Sequence, residues 1–355
     1  MFNLGEISMK KSLIALAVLA ASGAAMAQSS VTLYGVADAF VGSTKVEVNN
    51  VGQRQTGVET SGVNGSRWGL KGSEDLGGGM KAIFQLESGF KLDTGAPKTE
   101  NNLFDRQAFV GLQSGFGTVS LGRQYSAYDN LQGATNHNYD AFTFSARGAV
   151  SANGVKDYAN RIPNSIAYTS PSFSGFSGAV VYGFGENKNA NVGTAAAPIL
   201  NSDATDSASV HIKYANGPIL VGYAYQEDKL PQTALGQDKN KYNLIGGSYD
   251  LGVAKLTGSY NTAKNNTYSD KEGQIGVSVP FGAAAISAGY ARSKSEGNGI
   301  ERTGKGYSVL ATYALSKRTG LYAGAQNTES YGAFTAAAAP KTEITTYGLG
   351  VRHSF

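Results

Sequence analysis

Past Gln28 the chain holds no apolar run approaching the ~20 residues a membrane-crossing helix needs, yet apolar and polar residues alternate at a period of two through segment after segment. Ala254, Leu256, Gly258 and Tyr260 share one face and Lys255, Thr257 and Ser259 the other. Ile275, Val277, Val279 and Phe281 oppose Gln274, Gly276 and Ser278, and Val210, Ile212 and Tyr214 oppose His211 and Lys213. Tyr307, Val309, Ala311 and Tyr313 oppose Ser308, Leu310 and Thr312. No helical periodicity of comparable clarity competes with this pattern. Sheet is the expected structure, with one face of Gly, Ser, Thr, Asn and charge.

The connections alternate in length. Tight, turn-rich ones centre on residues 76–79, 114–117, 172–176, 216–218, 250–253, 280–282 and 315–320. Longer polar ones cover residues 43–64, 91–103, 125–160, 185–205, 227–239, 263–270, 293–303 and 329–342. Seven turns and eight loops predict sixteen strands, with both chain ends on the short-turn side, as an even-stranded antiparallel barrel requires. A β-sandwich or repeat protein would share the alternation. The uniform shortness of one set of turns, the wet character of the polar face, and aromatics beside the turns (Phe116, Phe176, Tyr249, Phe281, Tyr313) favour a barrel whose outer face meets lipid.

The N-terminus fits export. Met9-Lys10-Lys11 opens a positive segment, residues 12–21 are apolar, and Ala25-Met26-Ala27 before Gln28 suits signal-peptidase cleavage. The expected organisation is a signal peptide over 1–27, with Met9 the expected start, and one barrel domain over 28–355. Loss of Lys10, Lys11 and Glu6 lowers the formal charge of +4 by one, too weak a bias to argue for nucleic acid. Glycine is abundant, at 47 of 355 residues, and charge is sparse, at 16%, but 20 Tyr and 15 Phe give a burying power that disordered chains lack. The absence of Cys excludes disulfides, thiolate metal sites and thiol chemistry.

The stretches Val31-Thr-Leu-Tyr-Gly-Val-Ala-Asp38, Ser66-Arg-Trp-Gly-Leu-Lys-Gly-Ser-Glu-Asp-Leu-Gly-Gly-Gly79, Gly122-Arg-Gln-Tyr125 and Tyr347-Gly-Leu-Gly-Val-Arg-His-Ser-Phe355 resemble the general diffusion porins of proteobacterial outer membranes, of the beta-proteobacterial type. The resemblance runs from Val31 to Phe355. It implies a homotrimer of 16-stranded barrels in outer-membrane lipid and lipopolysaccharide, each passing ions and small solutes, with the third loop folded inward. It also implies that the terminal Phe355 is read by the barrel-assembly machinery.

Alternation places Trp68 and Leu70 outward and Arg67 and Lys71 toward the lumen. Phe109, taken as outward, puts Arg106 inward and Asp105 and Gln107 on the lipid side, and Ile162, Ile166 and Tyr168, taken as one face, put Arg161 inward. The three arginines resemble the basic ladder of the family. Guanidinium suits that role because it stays ionised. Asp38 and Glu87 are the expected opposing carboxylates, and Asp140 the expected third-loop residue facing the ladder. The loop lacks the family's acidic Pro-Glu-Phe-Gly-Gly-like segment and has Ala141-Phe-Thr-Phe144 instead, so modest anion preference is expected.

Two other classes compete. A substrate-specific sugar channel would show an ordered aromatic series in the lumen, which is not found. A barrel enzyme needs a base near a nucleophile, and His137, His211 and His353 have no spacing that unites them or suggests a metal site. Glu74 and Asp75 adjoin a turn, where hairpin-end hydrogen bonding is the simpler role. No cofactor is expected.

Overall fold

In the computed structural model, the residues described are 30–138, 143–146, 155, 157–186, 191, 194–198, 205–231, 238–331 and 340–355. They form one antiparallel sheet of seventeen segments. The first half comprises β1 (Ser30–Val48), β2 (Val51–Thr60), β3 (Arg67–Gly77), β4 (Met80–Gly89), β5 (Gln107–Ser114), β6 (Gly117–Tyr125), β7 (Arg161–Thr169) and β8 (Phe176–Gly183). The second comprises β9 (Ser207–Asn216), β10 (Ile219–Lys229), β11 (Lys239–Asp250), β12 (Lys255–Lys264), β13 (Tyr268–Phe281), β14 (Ala284–Gly297), β15 (Ile300–Ala314), β16 (Thr319–Tyr331) and β17 (Lys341–Ser354).

Closure comes from β1 pairing with β17, from Val36 opposite Ser354 to Val48 opposite Thr342. The last residue completes the seam: Gly35 N–H donates to the Phe355 carbonyl at 3.0 Å and Phe355 N–H to the Gly35 carbonyl at 3.1 Å. The Phe355 ring lies so close over Gly35 that a Cβ there would collide with it. Seventeen segments make sixteen staves, because β2 and β3 are two pieces of one. The upper part of β1 (Ala39–Val48) pairs with β2, and its lower part (Ser30–Val36) pairs with β3.

Between those pieces, residues 61–66 leave the wall and enter the lumen. Ser61, at φ 66, begins the departure. Asp38 holds the excursion in place: fully buried, its carboxylate accepts the N–H groups of Gly62 (2.9 Å), Val63 (3.0 Å) and Asn64 (2.7 Å) and the Tyr322 hydroxyl. Three backbone donors that left the β-ladder regain an acceptor this way.

Outward positions are apolar throughout the belt. Val31, Leu33, Val110, Leu112, Leu121, Ile212, Ile275, Val309, Leu349 and Val351 are all exposed, a surface suited to hydrocarbon. Phe116, Phe176, Tyr249, Phe281 and Tyr313 are exposed beside the tight turns, as the sequence suggests. Asp75 Oδ1 accepts Gly77 N–H at 2.9 Å, a hairpin-end role.

Three of the expected long loops are not loops. In residues 43–64 the wall climbs to Val48 and returns from Val51 through Asn49 and Asn50, both left-handed at φ 49 and 66. Residues 293–303 are continuous strand except for the Asn298-Gly299 turn, at φ 50 and 74. The turn within 263–270 spans only the residues between Lys264 and Tyr268. Above the apolar belt both faces of a stave meet water, so the alternation fades although the backbone ladder continues. Ion pairs knit this polar collar: Lys294 with Glu296 (2.9 Å) and Glu301 (2.8 Å), and Lys341 with Glu329 (2.9 Å).

The third connection folds inward. Ser126 caps the helix α1 (Ala127–Thr135), its Oγ accepting Asp129 N–H at 3.0 Å. Tyr128 and Leu131 of α1 pack with Val155, Tyr158, Ala224, Tyr242 and Leu244 against the inner wall. Further along the connection, Phe144 packs on Phe40 of β1 and Tyr322 of β16. His137 lies flat on Gly276 and Gly289, and a Cβ at either glycine would collide with its ring. Thr143 Oγ1 then donates to the Ser61 carbonyl at 3.1 Å, tying the loop to the excursion.

Two outcomes follow from this packing. Asp38→Ala strands three N–H groups and should lower the heat stability of the detergent-solubilised barrel by about 3 kcal/mol or more, with Asp38→Asn losing less; unfolding followed by circular dichroism reads both. Gly276→Leu should lift His137 off the wall and narrow the lumen, lowering single-channel conductance while the barrel still folds.

Candidate functional site

The inward face of β4 carries the centre of the site. Register sets Glu87 opposite Gln107 and Gln85 opposite Phe109, and Glu87 is only 4% exposed. A carboxylate so enclosed needs partners. Arg106 Nε donates to Glu87 Oε1 at 2.6 Å, Arg67 Nε stands 3.5 Å from Oε2, and the Tyr34 hydroxyl donates to Oε2 at 2.9 Å. Gln85 Nε2 donates to that same hydroxyl at 2.6 Å, and Lys71 Nζ lies 5.1 Å from the centre of the Tyr34 ring.

Tyr125, at the end of β6, links the cluster to the next stave. Its hydroxyl accepts from Arg106 Nη2 at 3.0 Å and from Arg161 Nη2 at 2.6 Å, and the Arg161 guanidinium carbon is 4.3 Å from its ring centre. Arg67 and Arg106 thus share the Glu87 carboxylate, Arg161 joins them through Tyr125 and Lys71 lies over the Tyr34 ring, and with Asp105 the only other acid in the cluster the surplus charge is positive among the described residues. Two tyrosines space the guanidinium groups without neutralising them.

Two more cations belong here that alternation does not reveal. Lys98 lies between β4 and β5, where burial and the adjacent Arg106 and Arg161 hold its ammonium below the usual lysine range, with Asp105 opposing. Arg123 Nε donates to the Asp105 carbonyl at 2.8 Å. Arg123 and Tyr125 fall inside the Gly122-Arg-Gln-Tyr125 motif, so a signal was present in the residues themselves. Lys98 had none, because its loop position has no face parity.

Several side chains lie elsewhere than alternation places them. Phe109 faces the lumen with Gln85, while Val110 and Leu112 are the exposed residues of β5. Gln107 is likewise on the Glu87 face. Asp105 is buried, accepting Gly89 N–H at 2.7 Å and the Thr99 hydroxyl at 3.0 Å. Neither residue puts a polar group into lipid. Arg106 reaches inward because it sits in the bend before β5, where strand parity does not apply. Ile162 is buried while Ile166 and Tyr168 are exposed, because the register shifts between Gly122 and Gln124 and Asn164 is left-handed at φ 47.

Asp38 is not among the arginines; its carboxylate is consumed by the excursion described above. Asp140 lies outside the described residues. Of the described loop acids, Asp129 is buried and accepts the Tyr158 hydroxyl at 2.7 Å, while Asp157 is exposed. The wall acids beneath the loop hold its backbone: Asp270 accepts Val155 N–H at 2.9 Å and Asp228 accepts Ala159 N–H at 2.9 Å. These carboxylates fasten the loop.

The histidines are scattered. His211 is buried with Nδ1 2.7 Å from the Ala127 carbonyl, His137 is buried on the β13–β14 glycines, and His353 is exposed beside Thr319. Among the described residues no group of His, Asp and Glu could hold a metal ion.

Known proteins carry the same architecture. Residues 13–333 match the Gram-negative porin family. Outer membrane porin protein 32 of Delftia acidovorans is 34% identical, with 98% of this chain and all of that protein covered. An outer membrane porin protein of Bordetella pertussis is 31% identical with the same coverage. The solved anion-selective porin from Comamonas acidovorans superposes with a TM-score of 0.75 at 28% identity, covering 92% of this chain and 100% of that one. A closed sixteen-stave wall, apolar outside and wet inside, with an inward loop and a basic lumen cluster, agrees with that match over most of the chain: the protein belongs to the Gram-negative porin family, the passive diffusion channels of the outer membrane.

Proposed function

We propose that this channel conducts small hydrophilic solutes and ions of both signs with a modest preference for anions, and that the cluster of Arg67, Lys71, Arg106 and Arg161 sets the preference. The observation that carries the reading is the shared Glu87 and Tyr125 linkage, which brings three guanidinium groups to one wall with only Glu87 in ion-pair contact with them. In a confined lumen their fields reinforce, and screening is weaker than in bulk. The anion-selective character of the Comamonas porin supports the same sign. Glu87 moderates the effect, so cations are not excluded.

Planar-bilayer recording across a salt gradient tests this directly. The reversal potential should have the anion sign, and Arg106→Ser or Arg161→Ser should lower the anion-to-cation permeability ratio by about twofold or more, an effect that shrinks at high salt. Lys294→Ser in the collar should move it far less. An unmoved potential in the Arg67/Arg106/Arg161 triple Ser variant would remove the cluster as the determinant.

The exported chain is proposed to begin at Gln28, to insert with its short turns periplasmic, and to form a homotrimer in lipid and lipopolysaccharide. With Asp105 and Gln107 turned away from lipid, the trimer rests on the family alone, and cross-linking in mild detergent that traps only monomers would overturn it. Phe355 is proposed as the residue read by the barrel-assembly machinery. Its role in the seam also makes it structural, so the two roles separate by assay: deletion should reduce membrane insertion in cells more than refolding in detergent.

A further inference from the structure

A second group of cations lies at the short-turn mouth, away from the arginine cluster. A recess of about 290 Å³ opens between the β15–β16 turn and β17, with Asn64, Thr312, Lys317, Arg318, Tyr322 and Arg352 in its lining. Arg352 points into the lumen because its parity is opposite to that of Leu349 and Val351, which are exposed to the exterior. Register places it between Asp38 on β1 and Gly320 on β16. The Arg352 Nε is enclosed and has no hydrogen-bond partner.

What sets the recess apart is that its three cations have no ion-pair partner among the described residues. Asp38, the nearest carboxylate by register, offsets one of the three cations, but its acceptor sites are taken by three backbone N–H groups and the Tyr322 hydroxyl. The Phe355 backbone is tied across the seam to Gly35. Among the described residues no ion pair joins a carboxylate to Lys317, Arg318 or Arg352. The turn that carries two of them is fixed, with Ser316 Oγ accepting Arg318 N–H at 3.2 Å and Thr319 N–H at 3.0 Å. A half-buried guanidinium whose Nε is enclosed without an acceptor, beside two more cations, is stabilised by an oxyanion that supplies the absent acceptor.

We propose that this recess is a periplasmic anion station, binding the carboxylate or phosphate group of a small solute as it enters or leaves the channel. It rests on the barrel being an open pore and adds a second site in series with the constriction. The volume admits inorganic phosphate or a short dicarboxylate, and Thr312, Asn64 and the Tyr322 edge offer further polar contact.

The test titrates sodium phosphate or sodium succinate into the periplasmic chamber during single-channel recording in chloride. The wild-type current should fall saturably, and the half-blocking concentration should rise roughly threefold or more in the Lys317→Gln/Arg318→Gln/Arg352→Gln variant. Block by phosphate alone or succinate alone supports the station and identifies which solute it serves. Equal half-block in wild type and the triple variant, or loss of block in Arg67→Ser/Arg106→Ser but not in the triple variant, would overturn it. Phosphorus NMR line broadening of inorganic phosphate by the protein in detergent reads the recess without conduction. Broadening that the triple variant abolishes supports the station even in a silent bilayer, and broadening it leaves unchanged overturns it; silence itself counts against the pore reading.

Discussion

Every backbone N–H and C=O of the wall must find its partner inside the wall, because hydrocarbon offers none and each unpaired group there costs several kcal/mol. That requirement governs the whole structure. It forces β1 onto β17, brings the final residue into hydrogen bonds with Gly35, and makes any local departure from the ladder expensive. The chain tolerates one departure on the second stave because Asp38 replaces the lost acceptors with a carboxylate. The same carboxylate binds Tyr322, and the segment it holds receives Thr143 from the inward loop. Wall, excursion and loop therefore converge on one acid.

The lumen side answers a different problem, that of seating a loop on a concave wall without filling the bore. Glycines at the contact points let the loop lie close, as His137 does on Gly276 and Gly289. Carboxylates on β10 and β13 then fasten its return. With those acids spent on the loop, the opposite wall keeps its positive surplus, so the packing of the loop and the charge of the constriction are linked.

How much of this the residues disclose depends on whether a side chain faces a uniform medium. Ala254 to Tyr260 meets lipid on one side and water on the other, and its strand is plain. Asn49-Asn50 joins strands wet on both faces, so a hairpin reads as a loop. Arg67 and Lys71 follow from parity, whereas Arg106 sits in a bend and Ile162 beyond a register shift, where parity carries no information. Asp38 was readable as inward-facing but not as bound, because its partners at Gly62 to Asn64 come from a segment that leaves the stave. Lys98 belongs to a loop whose return to the arginines is set only by tertiary packing.

The polar collar above the belt has its own consequence for traffic. Several lysines and glutamates there are paired within about a hydrogen bond's length, as at Lys294 and Lys341. Each pair is a short dipole whose far field decays quickly, and at physiological salt it vanishes within roughly a Debye length. At these paired positions an approaching ion of either sign is neither drawn nor turned away. Such pairs add little to capture from the outside solution, which leaves the sorting by charge to unpaired groups deeper in the bore.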